Sequence, residues 1–341
     1  MVGPPSAESV CLVLLTPGPV ILSRMKFLLS CVNSPMSLVG YDWEEERVFW
    51  QLPSSAARAC SACYDGSDLL IATDNSLRRY SGNGCEDYEL KGKYDAYAHT
   101  VRVVGDDLVG IADTGNTQLL FINREGSLEY VLRPLEVWGD YPIDAIHLND
   151  FAATPFGILA SCFGYRPWRE IIAATSWEDW ISGGYGLIMN LNGGDNKGVG
   201  RIVGCGLDQP HSVRYVAPNW LYVSSSATGV LHVCEITATG LVQERHRYQV
   251  TRTHFLRGAL RSNSGWFLGG SCFRHGPKQN HHMEIYDLDE SSGGVTAKRL
   301  ELMGEIYDIL PWHDDILRPL IARNFPDHAR FCEDHAARSL S

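Results

Sequence analysis

The stretch HSVRYVAPNWLYV, residues 211–223, reads as a short strand, a tight polar turn and a second strand, and it opens on His211. An earlier stretch, HTVRVVGDDLVGI at 99–111, has the same layout and opens on His99. Short apolar runs on either side of a turn built from Gly, Asp, Asn or Pro are the mark of a β-hairpin. Two hairpins in a common register supply a ruler for the rest of the chain. Four more units line up on it: CSACYDGSDLLIATD from Cys60, HLNDFAATPFGILAS from His147, RGALRSNSGWFLGGS from Arg257 and DILPWHDDILRPL from Asp308. In the first five units the second strand begins nine residues after the first residue, at Leu69, Leu108, Phe156, Trp220 and Trp266. The register of the sixth can slip by one residue, and its second strand is the weakest of the set.

Helical periodicity is scarce; Gly, Asn, Asp and Ser punctuate short apolar runs along the chain, the pattern of many short strands. Each unit continues with further strands, such as GVLHVCEI and VQERHRYQV after the His211 hairpin. Four strands and about 40–60 residues per unit is the arithmetic of a β-propeller. The last unit offers only an inner strand, EIYDILPW, while KFLLSCV, SLVGYDW and RVFWQLP near the N-terminus lack a first strand. Together they complete one blade, and closing the ring removes exposed sheet edges. The expectation is an all-β, six-bladed propeller over 26–318, with a flexible leader at 1–25 and a tail at 319–341. The leader has an apolar run but no basic n-region, carries Glu8 and is broken by Pro17 and Pro19, so it does not read as a signal peptide.

Composition narrows the partners. The net charge of −11 over 341 residues argues against nucleic acid, which needs a basic face. No apolar run is long enough to span a membrane. Ten cysteines lack the tight spacing of a small secreted disulfide scaffold, which points to a reducing cytoplasm. Walker A, GxGxxG, GxSxG and HExxH patterns are all absent.

LDQPHSVRY, THFLRGAL and EIYDILPW resemble the repeated motifs of a largely uncharacterised family of bacterial six-bladed propellers, spanning roughly 27–312 of this chain. That family is distantly similar in architecture to gluconolactonase-type propellers. The second likeness implies a metal at the hub held by acidic and amide oxygens. This chain offers histidines there instead, and the family implies no settled reaction.

In a propeller the first strand of each blade lines the central channel, so equal register means roughly equal height. Numbering the blades one to six in chain order, the ring reads Cys60, His99, His147, His211, Arg257, Asp308. Histidines on three consecutive blades form an arc suited to a divalent transition metal such as Fe, Zn or Mn, and unsuited to Ca, which wants six to eight oxygens. The plainer alternative is that each histidine bonds a carbonyl of the neighbouring blade. Cys60 stands where a fourth ligand would, or is a buried inert thiol. Val101 and Val213, two residues beyond their histidines, share the same face under strand alternation and would line the channel with Asn149. Arg257 can clamp a substrate carboxylate or phosphate, and Asp308 can act as general base or oxygen ligand. Alternatively, the two form an ion pair between adjacent blades.

Two long insertions fall on the same mouth. The first, 163–186 in blade three, carries Tyr165, Arg166 and Trp168, residue types that suit a lid over an anionic or ring-bearing substrate. They equally suit a dimer contact, which would make the chain a homodimer. The second, 272–282 in blade five, carries His275, His281 and His282. His254, three residues before Arg257, is a candidate for contacting the substrate, shuttling protons or supporting the ligands. The leading reading is a metal-dependent enzyme for a small polar or anionic substrate, whether hydrolase, lyase, isomerase or iron-dependent oxidation. The alternative is a non-catalytic propeller that binds a protein or a small molecule.

Overall fold

The structure, a computed structural model, describes residues 25–331 apart from 94, 106, 135–142, 165–185, 192–199 and 272–281. It contains six four-stranded antiparallel sheets arranged as a β-propeller. Closure is by strands from both ends of the chain: Lys26–Val32 pairs with Glu305–Pro311, with Phe27 opposite Pro311 and Ser30 opposite Asp308. Met36–Asp42 and Arg47–Pro53 complete that sheet.

Burial is high at the second strand of each blade and least at the fourth, and the sequence follows it. Second strands such as Gly265–Ser271 are buried along their whole length, which is why they read as unbroken apolar runs. Fourth strands such as Val242–Gln249 and Val295–Met303 are mostly exposed and read as charged. The core is distributed as apolar clusters between neighbouring sheets. Phe27, Leu29, Phe267 and Met283 join blades five and six, for example, while Tyr222, Leu231, Leu256 and Trp266 join blades four and five.

The sixth hairpin of the sequence alignment does not exist. After Glu305–Pro311 the chain enters a helix, Asp314–Asn324, with Asp314 and Asp315 in its first turn and Arg318 bonded back to Asp314. Its Leu317, Leu320 and Ile321 pack against Leu69, Ile71 and Tyr80 of blade one and against Trp312. Phe331 joins the same cluster.

One irregularity governs the hub. The pairing slips by a residue in the inner strands of blades two, three, four and five, between Ala98 and Thr100, Leu148 and Asp150, His211 and Arg214, and Arg257 and Ala259. Ser212 and Gly258 take positive φ there, 55° and 63°. Such a bulge reverses the alternation of all residues beyond it. Val101 and Val213 therefore turn away from the channel into the clusters between blades, contrary to the alternation argument, and Arg102 and Arg214 turn in.

Candidate functional site

The inner strands bring His99, His147 and His211 to one mouth of the hub. His99 and His147 meet edge to face with ring centroids 4.9 Å apart. Phe163 touches both His147 and His211, at 4.2 and 5.1 Å, and Phe255 lies 5.5 Å beyond His211. Tyr307 of blade six stacks on His99 at 5.6 Å and 27°. The sixth unit thus slips by one: Tyr307, rather than Asp308, stands at the height of the histidines.

Two of the imidazoles are fixed through Nδ1. His147 adopts φ 49° and pairs through Nδ1 with Asp144 Oδ2 at 2.7 Å. His211 Nδ1 lies 3.0 Å from the Gln209 carbonyl and 2.7 Å from Ser226 Oγ, whose own hydrogen is donated to the Leu256 carbonyl. Since a carbonyl only accepts, His211 carries its proton on Nδ1 and its lone pair on Nε2. That Nε2 is buried without a hydrogen-bond partner. Burial, then the charges of Arg257 and His99, hold the His211 pKa well below the ordinary imidazole value, so the ring is neutral.

Arg257 is 5 % exposed, sandwiched between the faces of Phe255 and Tyr307 at 4.8 and 4.4 Å, and paired with Glu305. Asn33 donates to the other oxygen of Glu305 at 2.7 Å. The expected Arg257–Asp308 pair is therefore replaced by Arg257–Glu305. Arg257 Nε and, beside His147, Asn149 Oδ1 are further buried atoms without a hydrogen bond.

Asp308 lies deeper, in a knot of charges that the sequence reading missed. Arg102 Nη2 donates to Asp308 Oδ1 at 2.9 Å and to Asp150 Oδ2 at 3.2 Å. Arg214 Nη1 donates to Asp150 Oδ2 at 2.7 Å, and Arg214 Nη2 to Asp308 Oδ1 at 3.2 Å. Ser61 Oγ donates to Asp308 Oδ2, and Arg214 Nε to the Ala259 carbonyl at 3.0 Å. Every blade contributes one partner. Both Asp308 oxygens are bonded within this knot. A signal was present: HTVR, HLND and HSVR each carry a charge or its partner three residues after the histidine.

Cys60 bonds through Sγ to Asp74 Oδ1 at 3.4 Å, and burial followed by the Asp74 charge pushes its thiol pKa up. His254 stands in blade five among Thr253, Glu284 and Tyr286, next to His282, its pKa lowered chiefly by burial. Among the described residues, His254, His282 and Glu284 form the group whose ligating atoms all lie within 4.8 Å of one another; the hub histidines do not. Tyr165, Arg166, Trp168, His275 and His281 lie outside the described residues.

No family model matches the sequence, and no curated protein matches it. Solved structures share its fold. A protein of unknown function from Bacteroides caccae is 12 % identical with a TM-score of 0.60, the match covering 85 % of this chain and 99 % of that one. A protein from Lactobacillus plantarum is 9 % identical at TM-score 0.52, over 85 % of this chain and all of that one. A periplasmic gluconolactonase from Pseudomonas aeruginosa is 10 % identical at TM-score 0.48, over 85 % and 99 %. At such identities the likeness is one of fold: this chain is a six-bladed β-propeller. No helix among the described residues is long and apolar enough to cross a membrane.

Proposed function

We propose that the chain is an enzyme whose active site is the hub mouth, where His211 and His147 move protons on a small polar or anionic substrate. The observation that carries this reading is the set of buried, unbonded polar atoms at the mouth: His211 Nε2, Arg257 Nε and Asn149 Oδ1. Most buried polar groups in proteins are bonded, so a cluster of exceptions marks a candidate ligand site. His211 has its proton fixed on Nδ1 and its lone pair on Nε2, the state of a general base. The Arg257 charge close by favours an anionic group. Elimination, isomerisation and hydrolysis are each open to a pair of imidazoles acting as acid and base.

A divalent metal, Fe, Zn or Mn, on His99, His147 and His211 is the second reading of this mouth: an ion there would occupy the His211 lone pair, and the imidazoles would hold the metal in place of accepting the proton. Fixing Nδ1 by a carboxylate or carbonyl is how proteins orient imidazole ligands, and His147 and His211 are fixed that way. Binding one ion would require the three rings to draw closer around it than they stand. The metal would polarise the substrate or a water; the chain's own residues would orient it and carry the proton. The seven free cysteines of the described residues fit the proposed reducing, cytoplasmic setting.

The test starts from a thermal-shift screen of sugar acids, sugar lactones, hydroxy acids and sugar phosphates, followed by NMR detection of product. A ligand should emerge whose turnover falls at least about a hundredfold in His211→Gln, the scale of a lost general base. Turnover unchanged in His211→Gln and His147→Gln would remove the proposal. A ligand bound at the mouth with no product formed would leave a binding module instead.

A further inference from the structure

Blade five holds a second group of ligating side chains. His282 and Glu284 stand two residues apart at the start of its third strand, His282–Asp289, so they share a face, with Tyr286 next along it. His254 precedes the inner strand Phe255–Arg261 and is 3 % exposed. Between these strands runs Gly265–Ser271, where Gly270 is paired with Leu256 on one side and Glu284 on the other. The absence of a side chain at Gly270 is what lets the two sides meet. A Cβ there would stand 2.5 Å from Tyr286 Cε2 and 3.2 Å from His254 Cβ.

Across that gap His254 Nδ1 lies 3.5 Å from Glu284 Oε2, and His282 Nε2 lies 3.0 Å from Glu284 Oε1. The Tyr286 hydroxyl donates to Glu284 Oε2 at 2.5 Å and lies 3.0 Å from His254 Nδ1. The outer nitrogens, His254 Nε2 and His282 Nδ1, are buried without a hydrogen bond, so both rings are engaged on the Glu284 side.

We propose that His254, His282 and Glu284 bind a divalent first-row transition ion, zinc in the first instance, with the Tyr286 hydroxyl beside it. Two imidazoles and one carboxylate form a recurrent set for zinc with a fourth position open, and for iron(II). Ligand atoms at about 2.1 Å from a tetrahedral ion stand roughly 3.4 Å from one another. The three ligand atoms lie within 4.8 Å of one another, so a small inward movement would bring them to that spacing. Calcium and magnesium, which prefer all-oxygen shells, are disfavoured by the two nitrogens.

The experiment uses the full chain, stripped with chelator and titrated with cobalt(II) chloride, read by its visible absorption, then with zinc chloride, read by elemental analysis. One equivalent should bind to the His99→Ala, His147→Ala, His211→Ala triple variant, whatever the hub itself takes up in the wild type. Affinity should fall in His254→Ala, His282→Ala and Glu284→Gln by more than the roughly 10–100-fold that loss of an outer-shell partner costs. Gly270→Ala keeps every ligand but fills the gap, and should weaken binding as well. If His254→Ala fails to fold by circular dichroism, Glu284→Gln, whose side chain is 20 % exposed, decides. No uptake by wild type overturns the site. So does uptake by the triple hub variant that survives the blade-five changes, and loss of uptake in the triple hub variant would assign the ion to the hub.

Discussion

The mouth of the hub and the knot beneath it share three blades, with residues three apart on each: His99 and Arg102, His147 and Asp150, His211 and Arg214. The knot sets two guanidiniums against two carboxylates, and each carboxylate is shared by both arginines. Buried charges are tolerable only when so paired. The mouth leaves polar atoms unbonded at similar burial. Equal position in the repeat therefore does not mean equal role. A group that holds the ring together has its bonds closed within the protein, whereas a group kept for a ligand has bonds left open.

The strongest attempt to break this contrast is Asp308→Ala. It leaves Asp150 as the one carboxylate facing both Arg102 and Arg214 and should cost about 3–5 kcal/mol, the scale for removing one partner of a buried ion pair. Urea unfolding measures it; a loss below about 1 kcal/mol would mean the knot is not what holds the blades in register. Arg257 is the intermediate case, since it stands at the mouth yet is paired like the knot. Arg257→Lys loses the guanidinium bond to Glu305 and the stacking on Phe255 and Tyr307, and should destabilise by about 1–3 kcal/mol. A double-mutant cycle with Glu305→Gln should show coupling between the two. Unchanged stability with weakened ligand binding would move Arg257 from strut to substrate clamp.

His232 supplies the smallest effect and a control for His211. It too is buried, but Nδ1 meets Glu244 and Nε2 lies 2.8 Å from Ser225 Oγ. Glu244 favours a proton on His232 while burial resists it. Burial prevails at a side chain 7 % exposed, and the pKa is lowered from 6.5. The unfolded chain therefore takes up a proton before the folded one does as pH falls below 6.5. The stability contributed by neutral His232 is complete above 6.5 and is lost as pH falls through its lowered folded pKa. In His232→Gln the slope of Tm against pH below 6.5 should flatten, with little change at neutral pH. An unaltered slope would place the acid sensitivity at other groups.

The blade count, the closure by strands from both termini and the gathering of three histidines at one mouth were legible in the sequence. They depend on period-two alternation and on the spacing of hairpins, which are local properties that residues 99–111 and 211–223 display openly. Three features were not legible. The bulges reverse alternation with a single residue each, and they exchange Val101 and Val213 for Arg102 and Arg214 as channel residues. Arg257 found Glu305 because the slip at the sixth inner strand puts Tyr307, not Asp308, at its height. His254 met Glu284 only because Gly270, in the strand between them, leaves the space empty. The sequence by itself determined which residues are available at the hub, since repetition and hydrophobic period are written residue by residue. Which of them touch was decided by tertiary structure, because a one-residue change of register moves a side chain to the opposite face and leaves no mark on composition or period.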